Sequence, residues 1–248
     1  MENTLLVGLS RQIALRRELD VIANNIANIG TTGFKSENVL FEEHLARGAR
    51  VDHFPVPQDR RVSFVLDRET RTDLSQGPFS QTGSILDTAI DGEGFFAVET
   101  PAGERYTRAG GFAINVAGEL VTPAGHRVLG NAGPIVLDPN DTEISIALDG
   151  TISTRDGERG RLRLVRFEDA SQLSKQGDNL FSSEAAALPV EPRTRVVQGS
   201  IEKSNVHAVV EMGRMIEVTR AYTNLASLMS RADELRRNAI ERLADVPM

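Results

Sequence analysis

Apolar residues near the start of the chain recur at a spacing that predicts an α-helix. After Leu5, Leu9 and Ile13, five further apolar positions follow at steps of four, three, four and three residues. These five positions are Leu15, Leu19, Ile22, Ile26 and Ile29. Because no proline precedes Pro55, the pattern predicts a helix over residues 1–30. Its narrow apolar stripe is of the kind that packs against a second helix.

A matching repeat lies at the other end of the chain, with steps of three and four residues in alternation. Its positions are Met215, Val218, Tyr222, Leu225, Met229 and Ala232. The pattern predicts a helix within residues 206–248 that is roughly 55 Å long at 1.5 Å per residue. We predict that the two terminal helices form an antiparallel, coiled-coil-like pair. A β domain cannot cover so long a helix, so we expect copies of the chain to associate through these helices.

The pattern between the helices changes to short segments rich in β-branched and aromatic residues, such as GFFAVET, EISIAL and RLRLVRF. Turn sequences such as Asp149-Gly150 and Asp156-Gly157 separate them at roughly ten-residue spacing, which is typical of β-hairpins. We predict an all-β domain over residues 76–205 and an extended connector over residues 31–75. The fold class is therefore mainly β with terminal α-helices.

Three asparagines interrupt the end of the first predicted helix, in the stretch ANNIANIGTTGFK. Asn24, Asn25 and Asn28 lie off its apolar stripe, and asparagine is unfavourable inside helices because its amide competes for backbone hydrogen bonds. One hypothesis is that these amides bond to neighbouring copies and fix their register, as polar residues do in coiled coils. The alternative is a solvated, fraying helix end. The four residues that we expect to stop the helix and act as a hinge are Gly30, Thr31, Thr32 and Gly33.

Composition excludes several classes of function. The chain of 248 residues has a net charge of -7, which argues against nucleic-acid binding, and it lacks cysteine, which excludes disulfides and thiol chemistry. The acidic excess lies between the two predicted helices, while each end is neutral. The first residues lack the basic and apolar regions of a signal peptide, and no apolar run is long enough to span a membrane. We therefore expect any export to use a route without a cleaved signal.

Candidate chemical sites are few, and we expect no enzyme activity, no cofactor and no metal. The four histidines are scattered without metal-ligand spacing, and Gly92-Glu93-Gly94 fits a turn before a strand better than a phosphate-binding loop. The oxygen-rich run from Asp138 to Glu143 lacks the spacing of a calcium loop and favours a turn between strands.

Six stretches, in order, resemble the bacterial flagellar rod and hook protein family, and the resemblance covers nearly the whole chain. They are ANNIANIGTTGFK, LDTAIDGEGFFAV, YTRAGGFAINVAGELVTPAGHRVLG, GDNLF, QGSIEKSNV and EMGRMIEVTRAY. The resemblance implies a structural subunit of the basal-body rod, which leaves the cell through the flagellar type III export apparatus. It further implies assembly in the periplasm with copies of itself and other rod proteins, with the terminal helices inside and the β domain outside.

Within the family, the short connector and the stretch QGPFSQTGSILDTAIDGEGFF resemble subunits of the proximal rod. A distal rod subunit, expected to carry a longer insertion, and another rod or hook subunit remain alternatives. A third alternative, suggested only by the β pattern and the acidic loops, is a module that binds or cleaves peptidoglycan.

Overall fold

The computed structural model describes residues 2–46, 62–138, 141, 143–169 and 172–244. The chain divides into two compact units. The helical unit comprises Met1–Ala27, Glu37–Arg71 and His207–Met248, and the β unit comprises Asn28–Ser36 and Thr72–Val206. A helix at each end and a mostly β middle confirm the predicted fold class at this level.

The helical unit contains helix α1 (Glu2–Ala27), helix α2 (Ala208–Ala244) and strands β1 (Glu37–Ala46) and β2 (Val62–Thr72). The prediction of a helix to residue 30 was wrong at its end, because α1 stops at Ala27. The described part of the predicted connector also differs from a plain extended segment, since β1 and β2 pair in a two-stranded sheet. Their valine, phenylalanine and threonine residues favour strands. Residues 47–61 of that connector lie outside the described residues.

The order of contacts between α1 and α2 is antiparallel, because residues later in α1 meet residues earlier in α2. Four contacts give this order, namely Asn25 with Glu211, Glu18 with Arg214, Gln12 with Tyr222, and Gly8 with Met229. In the last of these, a Cβ added at Gly8 would lie 3.2 Å from the Met229 sulfur. The absence of a side chain at Gly8 therefore lets the two helices approach closely.

The β unit is built from short strands joined by turns, as the turn sequences predict. The strands are β3 (Phe79–Gln81), β4 (Thr88–Asp91), β5 (Phe95–Thr100), β6 (Gly103–Thr107), β7 (Ala113–Ile114), β8 (Leu120–Val121), β9 (Arg127–Gly130), β10 (Gly133–Pro134), β11 (Ser145–Ile146), β12 (Thr151–Thr154), β13 (Gly157–Arg161), β14 (Leu164–Arg166), β15 (Leu173–Gln176), β16 (Leu180–Ser183), β17 (Leu188–Pro189), β18 (Arg195–Gln198) and β19 (Ser200–Glu202).

These strands pair in antiparallel fashion in four sheets. The largest has ten strands, with the path β15-β16-β6-β5-β9-β8-β7, to which β10 adds on β9, β14 on β5 and β17 on β14. A three-stranded sheet has the order β11-β12-β13, and two pairs join distant parts of the chain, β18 with β4 and β19 with β3. The pairing of β19 with β3 brings the end of the β unit next to its beginning.

Strand β5 forms the centre of the unit and is buried on both faces. Phe96 and Val98 point into one apolar cluster with Ile90 and Val128, and both are 0% exposed. Phe95 and Ala97 point into a second cluster on the other face. A strand covered on both faces is apolar without alternation, which explains the continuous FFAV run.

Candidate assembly surface and chain junction

The predicted apolar stripe of α2 packs against α1 within one chain. Val218 is buried, Met215, Tyr222, Leu225 and Met229 are half-buried, and Ala232 is exposed. The Tyr222 hydroxyl accepts a hydrogen bond from Gln12 Nε2 at 3.1 Å. Tyr222 and Met229 therefore lie at the intrachain contact with α1.

The covered face of α1 is displaced by one residue from the predicted stripe. Ile22 is buried, but Leu15, Leu19, Ile26 and Ile29 are only half-buried, and Ile29 lies beyond the end of the helix. The other buried residues of α1, among those whose burial is described, are Gly8, Ala14, Val21 and Asn25, and the last three each lie one position before a predicted stripe residue. Ala14 and Val21 have smaller side chains than the stripe residues, and Asn25 has polar partners in β1, so this face of α1 packs closely.

Asn25 is fully buried and is held by its own chain. Its Oδ1 accepts a hydrogen bond from the Glu37 backbone N–H at 2.9 Å, and its Nδ2 donates to the Glu37 carbonyl at 2.8 Å. Nδ2 also lies 3.5 Å from the Glu211 carboxylate. The alternative of a solvated helix end is wrong for Asn25, because strand β1 presents its backbone to this buried amide.

The other two asparagines have different surroundings. Asn24 is exposed. Asn28 lies just beyond α1, where its carbonyl accepts from the Thr31 N–H at 3.1 Å and its Oδ1 from the Thr31 hydroxyl at 3.0 Å. Asn28 therefore stabilises the turn that follows the helix.

Both helices carry a second apolar stripe that remains exposed in the described chain. On α1 it consists of Leu6, Leu9 and Ile13, which are 52%, 47% and 60% exposed. On α2 it consists of Val209, Met212 and Ile216, which are 80%, 48% and 55% exposed. Spacings of three and four residues place each set on one side of its helix. The α2 set was not among the residues predicted from the sequence, although its spacing of three and four residues was a signal for it.

The residues predicted to stop the helix and act as a hinge lie in the β unit, beyond the end of α1 at Ala27, and the hinge role stays a prediction. Gly30 does not cap the helix, because α1 has already ended and Gly30 lacks the left-handed conformation. Gly33 has a φ of 67°, and a Cβ there would lie 2.4 Å from backbone atoms of Arg108 and Ala109. Thr32 accepts a hydrogen bond through its carbonyl from Asn179 Nδ2 at 2.8 Å. These residues are packed onto the β unit.

Immediately after these residues, a buried ionic cluster joins three distant parts of the β unit. Lys35 and Glu202 are both 0% exposed, and Lys35 Nζ lies 2.6 Å from Glu202 Oε1. The second carboxylate oxygen lies 3.2 Å from Arg108 NH1. Oε1 also accepts from the Gly77 backbone N–H at 2.9 Å. One carboxylate therefore serves two cations and one backbone amide.

The two cations complete their bonding with backbone carbonyls. Lys35 Nζ donates to the Ser75 carbonyl at 2.6 Å, and Arg108 NH2 donates to the Gly92 carbonyl at 2.9 Å. Burial lowers the pKa of Lys35 and of Arg108, and in each case Glu202 opposes that shift by its charge and its hydrogen bond. This cluster was not predictable from the local sequence pattern, because its members are separated by 73 to 167 positions.

Asn205 completes the same region, which we call the junction and define as residues 33–36, 73–77 and 202–205. Its Oδ1 accepts from the Ser36 N–H at 2.8 Å, and its Nδ2 donates to the Asp73 carbonyl at 2.9 Å. The Asp73 N–H in turn donates to the Ser36 carbonyl at 2.8 Å. The Asn205 amide therefore joins all three segments of the junction.

The remaining candidate chemistry resolves into turns and ion pairs. Gly92 and Gly94 have φ values of 109° and 146° in the turn between β4 and β5, which confirms the turn interpretation. The Asp141 carboxylate pairs with Arg159, which lowers the pKa of Asp141.

In the described part of the chain, no group of three acidic or histidine side chains is placed to hold a metal ion. The described helices include none long and apolar enough to cross a membrane.

Three family models match the chain in separate segments. A model described as "Flagella basal body rod protein" matches residues 5–35, which run from α1 to Lys35. The "Flagellar hook protein FlgE/F/G D1 domain" matches residues 89–154 within the β unit. The "Flagellar basal body rod FlgEFG protein C-terminal" model matches residues 197–242, from β18 into α2.

Curated relatives match over almost the full length. A protein named flagellar basal-body rod protein FlgF from Caulobacter vibrioides is 43% identical over 99% of this chain and 100% of its own length. The FlgF protein of Mesorhizobium japonicum is 37% identical over 98% of both chains. The protein named flagellar basal-body rod protein FlgG from Bacillus subtilis is 33% identical over 95% of this chain and 97% of its own length. With its terminal helices and β unit matched in order, the chain belongs to the flagellar basal-body rod protein family, whose members are structural components of the bacterial flagellum.

Proposed function

We propose that this chain is a subunit of the proximal rod, and that it assembles with copies of itself and with other rod proteins through its helical unit. The observation that carries the proposal is the pair of exposed apolar stripes on α1 and α2. Six large apolar side chains on two helices leave a surface that is costly to keep in water and that association would cover. The predicted stripe residues then hold the two helices together, and the second stripes supply the surface for neighbouring copies.

The neutral charge of the terminal segments supports close packing of copies. Basic and acidic residues are balanced in residues 1–30 and again in residues 206–248. Identical helices can therefore lie side by side without a large net repulsion. In such an assembly the paired helices form a coiled-coil-like inner layer, as the family resemblance implies.

The position in the proximal rod is supported by the short connector over residues 31–75, which lacks the longer insertion that the resemblance assigns to the distal rod. We further propose export through the flagellar type III apparatus and a periplasmic location in the rod.

Ile13→Glu tests assembly through the exposed stripes. Ile13 is 60% exposed, so a charge there should leave the subunit folded while disrupting a surface that neighbouring copies cover. We expect the variant to be absent from purified basal bodies and its cells to be non-motile in soft agar. Asn224→Glu, which places the same charge at another exposed helix position, is the matched control and should assemble. Normal assembly and motility of Ile13→Glu would refute the proposed surface.

The proximal position is tested by deleting the gene for this chain. Basal bodies from the deletion strain should then lack the distal rod subunit, because a distal segment cannot be added without the proximal one. Detection of distal subunits in those basal bodies would refute the proximal position while leaving rod membership intact.

A further inference from the structure

The junction is the part of the β unit through which the chain repeatedly leaves and returns. The chain passes between the two units at residues 27/28, 36/37, 71/72 and 206/207. Three of these passages adjoin the junction segments, and the N-terminal strip, residues 28–36, lies between the first two. The bonds that join the N-terminal strip to the other junction segments lie within the β unit.

The N-terminal strip depends on the last strand of the β unit for its backbone partners. The Gly33 N–H donates to the Glu202 carbonyl at 2.7 Å, and the Ser36 N–H donates to Asn205 Oδ1 at 2.8 Å. The Phe34 carbonyl accepts from the Asn205 N–H at 3.4 Å. If the strip docked before residues 202–205 were in place, these backbone groups would lose their water without gaining these hydrogen-bond partners.

The side chains make the dependence stronger. Lys35 is 0% exposed, and its only described acidic partner within hydrogen-bonding distance is Glu202. Burying an ammonium group without a paired carboxylate is strongly unfavourable, because carbonyl groups alone do not replace the lost hydration and charge compensation. Arg108 depends on the same carboxylate. Lys35 precedes Glu202 by 167 positions and Arg108 precedes it by 94, so both cations await a residue near the C-terminal end of the β unit.

We infer that the N-terminal strip docks onto the β unit only after strand β19 has paired with β3 and delivered Glu202. Docking of residues 28–36 is therefore a late step in folding, and it requires nearly the whole β unit to be present. One consequence rests on the proposed function. During export of a rod subunit, this order would keep the segment next to α1 undocked until the C-terminal part of the subunit has left the export apparatus. The folding order itself does not depend on that role.

Refolding of the full-length protein with pulsed hydrogen–deuterium labelling tests the order directly. The reporters are the Gly33 amide, bonded to Glu202, and the Ala97 amide, which donates to the Arg163 carbonyl at 3.1 Å in the core. We expect Ala97 to become protected in an earlier phase than Gly33. Protection of Gly33 in the same phase as Ala97, or earlier, would overturn the inference.

Variants test whether Glu202 is the cause. In Glu202→Gln, native exchange of the Gly33 amide should accelerate by about 100-fold or more, as expected for buried cations that lose their partner, while Ala97 changes far less. Adding Lys35→Met should recover at least about tenfold of that protection, because an apolar side chain no longer needs the carboxylate. Glu99→Gln removes the carboxylate of an exposed pair with Arg127 and is the matched control.

Unchanged Gly33 exchange in Glu202→Gln, or no recovery in the double variant, would contradict the inference. If Glu202→Gln alone does not fold, folding of the double variant supports it, and failure of both counts against it. None of these outcomes bears on rod membership. Normal assembly of Ile13→Glu together with the expected Gly33 exchange would refute the assembly surface alone, and failed assembly of Ile13→Glu together with unchanged Gly33 exchange would refute the folding order alone.

Discussion

Asn25→Ala is the substitution that best separates an intrachain role of the ANNIANIG asparagines from a role between copies. The change removes the amide that bonds both backbone groups of Glu37 at 2.8 and 2.9 Å. It also removes the polar neighbour of the Glu211 carboxylate. Because Asn25 is fully buried in the described chain, another copy cannot reach its amide.

The size of the effect follows from the groups left without a partner. Each buried donor or acceptor that loses its partner costs about 1–3 kcal/mol, so two groups give a loss of about 2–6 kcal/mol. Alanine favours helix over asparagine by up to about 0.7 kcal/mol, which offsets a small part. Since Glu37 is only half-buried, water can reach part of its backbone, and the lower end applies. We expect a destabilisation of about 2 kcal/mol.

Urea unfolding of the full-length subunit, followed by circular dichroism at 222 nm, measures this loss. Exchange of the Glu37 amide should accelerate roughly 30-fold, since each 1.4 kcal/mol is a factor of ten. Asn224→Ala makes the same chemical change at an exposed helix position and should be neutral or slightly stabilising. A stability of Asn25→Ala within about 0.5 kcal/mol of that control would refute the reasoning. If such a variant also failed to assemble, Asn25 would act between copies, as the sequence suggested.

Three further predictions test the β unit. Gly33→Ala should destabilise the protein by more than about 2 kcal/mol, because Gly33 has a left-handed φ and the new Cβ would lie 2.4 Å from backbone atoms. Gly30→Ala, whose Cβ would meet open space, should not destabilise it, and paired thermal melts compare the two variants. Phe96→Ala should cost about 3–5 kcal/mol in urea unfolding, because the ring is fully buried, and a loss under 1 kcal/mol would show that the site collapses. Asp141→Asn should lower the melting temperature at pH 7. Because Arg159 lowers the folded pKa of Asp141 below its ordinary 3.8, the difference should shrink as the pH falls below that value; a constant difference would contradict this assignment.

Local patterns predicted the elements well where each element depends on neighbours a few residues away. The stripe from Met215 to Met229 marks the covered side of α2, and the apolar run at Phe95 marks a strand buried on both faces. The same patterns misplaced the covered face of α1 by one residue. Ala14 and Asn25 are covered because of what lies opposite them, and asparagine is a residue type that is mostly exposed in proteins.

The amino-acid order alone was enough to identify two terminal helices, a β region between them and the family, since periodicity, turn residues and motifs are short-range properties of the chain. Only the folded chain revealed that the ANNIANIGTTGFK stretch divides at Ala27, with Asn25 serving the helical unit and Gly33 and Lys35 serving the β unit. The convergence of Lys35, Arg108 and Glu202 on one buried site was equally hidden, because charge pairing across more than a hundred positions depends on how strands β3 and β19 meet. Burial decides the outcome there, since the same three side chains in water would interact only weakly.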